Sequence, residues 1–135
     1  MTLSFRSIPP VLVIASLALS SACFSDYEDA TGLEEPVVDV SATDQFRFQM
    51  ASVTIRVGES VRWRNTGNIV HTVTFDPSRA SDPANVQLPA GAQPFNVQLD
   101  VGQSFSRRFT VPGVYKYICE PHESAGMLGT VTVNP

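Results

Sequence analysis

Cys119, His122 and Met127 fall within one short run near the end of a 135-residue chain, Cys119-Glu-Pro-His-Glu-Ser-Ala-Gly-Met127. A thiol, an imidazole and a thioether each offer a lone pair. Two residues between the first pair and four between the second let all three converge on one ion. The only other histidine, His71, lies well upstream. Two imidazoles, one thiolate and a weak axial thioether form the donor set of a type 1 copper site. Thiolate and thioether favour Cu(I), and imidazole serves both oxidation states. A geometry between the two preferences keeps reorganisation small when an electron moves. One loop cannot close a three-dimensional site, so His71 has to come from a neighbouring strand.

Each residue alone has a blander reading: a loop histidine, a core methionine, a cysteine acting as a small buried hydrophobe. The four together carry the copper assignment. Zinc prefers more thiolates or a second imidazole pair, and methionine is a poor zinc ligand. A Cys119–His122 hydrolase pair would need a third orienting group and a cleft. Two histidines in the whole chain exclude an oxidase with several copper centres, so no enzymatic activity is expected.

Strands must position these donors. Val53, Ile55 and Val57 alternate with polar residues, as do Val61 and Trp63, then His71, Val73 and Phe75. Phe95, Val97 and Leu99 repeat the pattern, followed by Tyr115, Tyr117 and Cys119, and finally Val131 and Val133. A period of two with β-branched and aromatic residues predicts half-buried strands. Gly58, Asn65-Thr-Gly67, Gly102 and Pro112-Gly113 punctuate them. Asp76 to Pro94 reads as a long loop, and no stretch after the N-terminus has a helical period. The expectation is an all-β antiparallel sandwich.

Cys119 to Met127, followed by Gly129-Thr-Val-Thr-Val133, resembles the ligand loop and last strand of the blue-copper proteins (cupredoxins) of the plastocyanin, pseudoazurin and halocyanin kind. Val57 to Asn65 with His71 to Asp76 is similar to that family's first-ligand region, and Pro112 to Cys119 to its penultimate strand. The resemblance covers roughly Phe46 to Pro135. It implies a Greek-key β-sandwich with copper at one end, and one-electron transfer between a donor and an acceptor protein. It also implies that His122 reaches the surface through an apolar patch where partners dock briefly. Two positions depart from plastocyanin: Ile118 stands where a tyrosine usually precedes the ligand cysteine, and Thr72 where an asparagine follows the first ligand histidine.

The N-terminus reads as an export signal over residues 1–22, with Arg6 ahead of the apolar run Val11–Leu19. That run is too short for a membrane span. Ser20-Ser21-Ala22-Cys23 is compatible with lipid attachment at Cys23 or with ordinary signal cleavage. An unpaired thiol in an oxidising compartment favours the lipid. Residues 23–44 carry acids and no Lys or Arg, which predicts a solvated tether. Residues 45–135 are then the folded, mildly basic domain. An exported periplasmic or cell-surface monomer is expected, touching membrane only through Cys23 and binding no nucleic acid. A copper-delivery protein is the competing function, but such proteins favour Met-rich or His-rich segments. An immunoglobulin-like adhesion module is a third reading.

Overall fold

The alternating segments become strands, and the inward parity of each supplies the core. The computed structural model describes residues 37–135. Nine strands run β1 (Val37–Thr43), β2 (Arg47–Gln49), β3 (Ser52–Arg56), β4 (Ser60–Asn65), β5 (His71–Thr74), β6 (Asn96–Leu99), β7 (Ser104–Arg108), β8 (Gly113–Ile118) and β9 (Leu128–Asn134). They form a four-stranded sheet in the order β2-β1-β4-β7 and a five-stranded sheet in the order β3-β9-β8-β5-β6. The all-β sandwich expected from the periodicity is the observed architecture.

Val40, Ala42, Val61 and Trp63 of the first sheet pack against Ile55, Val73, Tyr115, Tyr117 and Val131 of the second. Trp63 stands edge-on to Tyr117 with ring centroids 5.5 Å apart, and Phe75 stacks on Tyr117 at 4.7 Å. Gly129 in β9 is required for this arrangement, because a Cβ there would occupy the space of the Tyr117 phenol. The aromatic floor therefore lies under the strand end that carries Cys119.

Three expectations need correction. The tether was expected to reach residue 44, yet β1 occupies Val37–Thr43 and pairs parallel with β4 from Val37↔Ser60 to Ala42↔Asn65. Val38, Val40 and Ala42 alternate with Asp39 and Ser41, so the acid there, Asp39, lies on the outer side of a strand. The sandwich is also not wholly antiparallel: β1–β4 and β3–β9 are parallel pairs. Parallel neighbours need a crossover, and here the chain leaves β1 and β2 for β3 in the other sheet before returning to β4. Finally, the Asp76–Pro94 segment contains two 3-10 turns, Pro77–Arg79 and Pro83–Asn85, each capped by the aspartate before its proline. The export signal, Cys23 and the start of the acidic segment lie outside the described residues.

Candidate metal centre

His71 opens β5 and is fully buried, paired with Leu99 of β6. Its approach is fixed by Asn65, the last residue of β4 and 1% exposed. The Asn65 amide donates to the carbonyls of Ile69 (2.7 Å) and Leu99 (3.0 Å), while its oxygen accepts from Gly67 N–H (3.0 Å). By composition alone Asn65 reads as a turn residue, with no hint of this role. The available signal was parity: Val61, Trp63 and Asn65 share the inward face of β4, so a polar side chain there must find buried partners.

The other donors come from the loop after β8. A 3-10 segment, Glu120–Ala125, follows Cys119, kinks at His122 (φ −124°, ψ 15°) and ends on Gly126 in the left-handed region (φ 81°). Cys119 N–H donates to Met127 O (3.0 Å), His122 N–H to Cys119 O (3.1 Å) and Met127 N–H to His122 O (3.2 Å). These bonds bring the backbones of the three residues into one closed turn. Cys119 and Met127 are fully buried and His122 is half-buried.

The result is convergence. One donor atom each from His71, Cys119 and His122 lies within 4.8 Å of the other two. Cys119 Sγ is 3.7 Å from His71 Nδ1 and 3.3 Å from His122 Nδ1. An ion roughly 2.0 Å from nitrogen and 2.3 Å from sulfur in a trigonal plane separates those donors by roughly 3.7 Å, so the cluster fits a first-row metal. Protonation states fit as well. Burial pushes the His71 pKa down, helped by the neighbouring His122, and burial does the same at His122. Both imidazoles are thus neutral donors. Burial pushes the Cys119 thiol up, so a bound cation is what would hold the sulfur as thiolate.

Around the sulfur, Thr72 N–H points at Sγ (3.3 Å), and Thr72 Oγ1 accepts from Glu120 N–H (2.8 Å). The hydroxyl at this position thus ties the strand of His71 to the loop of Cys119. Glu120 also accepts from Thr74 Oγ1 (3.0 Å) and from Arg79 Nε (2.6 Å). Glu123 is a buried carboxylate that the sequence did not single out. It accepts from Ser81 N–H (2.7 Å), Asp82 N–H (3.1 Å) and Asn85 Nδ2 (2.9 Å). Burial alone would raise its pKa, but these hydrogen bonds outweigh it and hold the pKa below the ordinary value. Glu120 and Glu123 therefore strap the metal loop to the two 3-10 turns.

His122 is covered on its outer side by Phe46, whose ring stacks at 4.4 Å and 25°. Phe46 sits in the β1–β2 turn with φ 54°, a left-handed conformation uncommon for a phenylalanine, and is 39% exposed. Ile69, Val70, Met50 and Leu128 are further exposed apolar side chains. Ile69 and Val70 immediately precede His71, and Leu128 follows Met127, so these apolar side chains lie at the metal end.

Residues 35–134 match a family described as copper binding proteins, plastocyanin/azurin family. This chain belongs to that family. It is 40% identical over 86 residues to a plastocyanin of Scenedesmus fuscus, covering 64% of this chain and 85% of that one. It is 38% identical over 86 residues to a chloroplastic plastocyanin of Tetradesmus obliquus, of which it spans 57%. Among solved structures, a mutant fern plastocyanin is 27% identical with a TM-score of 0.56, covering 72% of this chain and 100% of that one. An oxidized amicyanin variant is also 27% identical, with a TM-score of 0.55 and coverage of 72% and 81%. The chain is a type 1 cupredoxin with copper as its metal, and its function is one-electron transfer between protein partners.

Proposed function

We propose that His71, Cys119, His122 and Met127 are the copper ligands of an exported electron shuttle. The observation that carries this reading is the convergence of two imidazole Nδ1 atoms on one buried thiol. Bound there, copper supplies a one-electron couple between Cu(I) and Cu(II). The chain's own residues supply rigidity and seclusion. Thr72 N–H stabilises negative charge on Sγ, and the turn closed by the Cys119–Met127 hydrogen bond holds the thioether residue beside the thiol. The buried aromatic floor keeps water from the sulfur, and the strapped loop resists movement between oxidation states.

Electrons enter and leave at the His122 end, where partners dock briefly on the apolar surface around Phe46. A small, weakly held contact suits rapid turnover. The protein acts as a monomer with no catalysis of its own. Export to the periplasm or cell surface follows from residues 1–22, with a lipid on Cys23 holding the shuttle at a membrane. Donor and acceptor are redox proteins of that compartment.

The test is a visible spectrum. Adding Cu(II) to the protein should give an intense blue band from sulfur-to-copper charge transfer, and Cys119→Ser should abolish it while the fold persists by circular dichroism. A Cys119→Ser protein that stays blue would sink the ligand assignment. Mass spectrometry of the exported protein should find a lipidated start at Cys23; an unmodified Cys23 terminus refutes the anchor.

A further inference from the structure

The outer face of the four-stranded sheet carries Arg47, Arg62, Arg64 and Arg108, all exposed. The register places them together. Arg62 lies between Asp39 and Ser106, Arg64 between Ser41 and Ser104, Arg108 opposite Ser60, and Arg47 opposite Thr43. Their neighbours are mostly hydroxyl side chains. The one carboxylate in these rows, Asp39, is held by Arg62 through both oxygens (2.5 and 2.8 Å). The other sheet presents a different outer face, with Thr54, Thr130, Thr132, Asn96 and Gln98 and only Arg56 and Lys116 as cations. Across the metal end, Glu120 is paired with Arg79, Glu123 is buried under three N–H donors, and Asp44 in the β1–β2 turn accepts from Asn68 N–H (2.7 Å) and Asn68 Nδ2 (2.9 Å). Among the described residues, the four-stranded sheet thus carries four outward cations to the other sheet's two, with Asp39 matched to Arg62.

That face reaches the metal end. Arg47 directly follows Phe46, whose ring covers His122. Arg64 directly precedes Asn65, which anchors the backbone beside His71. All four cations are arginine, and the only lysine in the chain, Lys116, lies on the other sheet. A planar guanidinium pairs with a carboxylate through two parallel hydrogen bonds and gives up its water more readily than an ammonium.

We propose that this arginine face steers and docks a redox protein whose own cofactor edge is rimmed by carboxylates. The proposal rests on the reading that electrons cross at the His122 end. Carboxylates seated on Arg47 and Arg64 put the partner's cofactor over Phe46 and His122. The pull on the partner before contact comes from Arg47 and Arg64, since the Arg62 charge is matched by Asp39. A flat anionic membrane engaging the same arginines would bind along the sheet and offer nothing to exchange an electron with.

The test uses one haem protein in two charge forms: reduced native cytochrome c, which is basic, and the same protein fully succinylated, which is acidic. Stopped flow follows loss of the blue band as haem Fe(II) gives one electron to Cu(II), leaving Fe(III) and Cu(I). Each variant is compared with wild type against the same cytochrome, so any difference in haem potential cancels. At an ionic strength of about 0.01 M, where screening extends roughly 30 Å, Arg47→Glu/Arg64→Glu should slow the acidic form by about tenfold or more. It should speed the basic form. Arg47→Gln/Arg64→Gln should give an intermediate loss. Arg56→Glu/Lys116→Glu, an equal charge change on the other sheet, should leave most of the preference in place.

Overturning results are specific. One is an unchanged preference in Arg47→Glu/Arg64→Glu; another is an equal loss in Arg56→Glu/Lys116→Glu, which would make net charge the cause. A third is binding to phosphatidylglycerol vesicles that depends on Arg47 and Arg64 without any preference between cytochromes, which would assign the face to a membrane. High salt separates this proposal from the reading beneath it. With charge screened, both cytochromes should still reduce the copper, and failure of both there overturns the electron-transfer reading along with the docking face.

Discussion

The two histidines of the site stand in opposite circumstances. His71 belongs to β5, with β6 and β8 on either side, and is fully buried. His122 sits at a kink in a short loop, half-buried, with Phe46 as its outer neighbour. One is held through its backbone, by pairing with β6 and by Asn65, which bonds the carbonyls of Ile69 and Leu99 nearby. The other is fixed by a turn, two carboxylate straps and a stacked ring. An electron carrier needs both. On the proposed ligand assignment, the strand-held histidine would set a rigid back wall, and the loop-held histidine would bring the metal's electronic reach to the surface.

The largest expected difference comes from removing each ring. In His122→Gly, external imidazole should enter beside the part-exposed Phe46 ring and restore the blue band. In His71→Gly the vacated space is enclosed by the sandwich, so added imidazole should not restore it. The deletion there should also cost stability, by roughly 2–4 kcal/mol as for other large buried side chains reduced to small ones. Equal rescue of both variants, measured by absorbance against imidazole concentration, would erase the contrast between wall and exit.

Glu123→Ala addresses the loop side alone. It leaves Ser81 N–H, Asp82 N–H and the Asn85 amide without their common acceptor, which should cost roughly 2–3 kcal/mol in urea unfolding. Because Glu123 adjoins His122, the blue band should shift in position or relative intensity, with the NMR signals of His71's strand neighbours Val73 and Leu99 little changed. Loss of stability with an unaltered spectrum would reduce Glu123 to a purely structural strap.

Two smaller effects refine the picture. Met127→Leu should keep the colour and raise the potential, because removing a thioether disfavours Cu(II); loss of copper in that variant would give Met127 a different part. Phe46→Ala removes a ring contact of about 0.5–1.5 kcal/mol. It should broaden the His122 ring resonances in the reduced protein while leaving those of His71 sharp. If both rings respond alike, the stack is not what holds His122.

Much of this protein is determined along the chain itself. The Cys119–His122–Met127 spacing, together with His71, points to copper and to the donor types proposed for it, because groups on one turn are constrained by sequence distance. The period-two patterns fix which side chains face inward, since a strand's pleat alternates whatever its partners are. Parity could have marked Val38, Val40 and Ala42 as a strand too, but the local run of acids outweighed it, and only pairing with β4 decided the matter. Pairing is a tertiary property: nothing local to β1 or β3 says that its neighbour runs parallel. The same holds for the contacts that distinguish this site. Phe46 reaches His122, Glu123 reaches Ser81, Asp82 and Asn85, and four arginines from three strands share one face only because separate segments are brought side by side. Sequence distance constrains what one turn can do, and the folded sheets decide which distant side chains meet it.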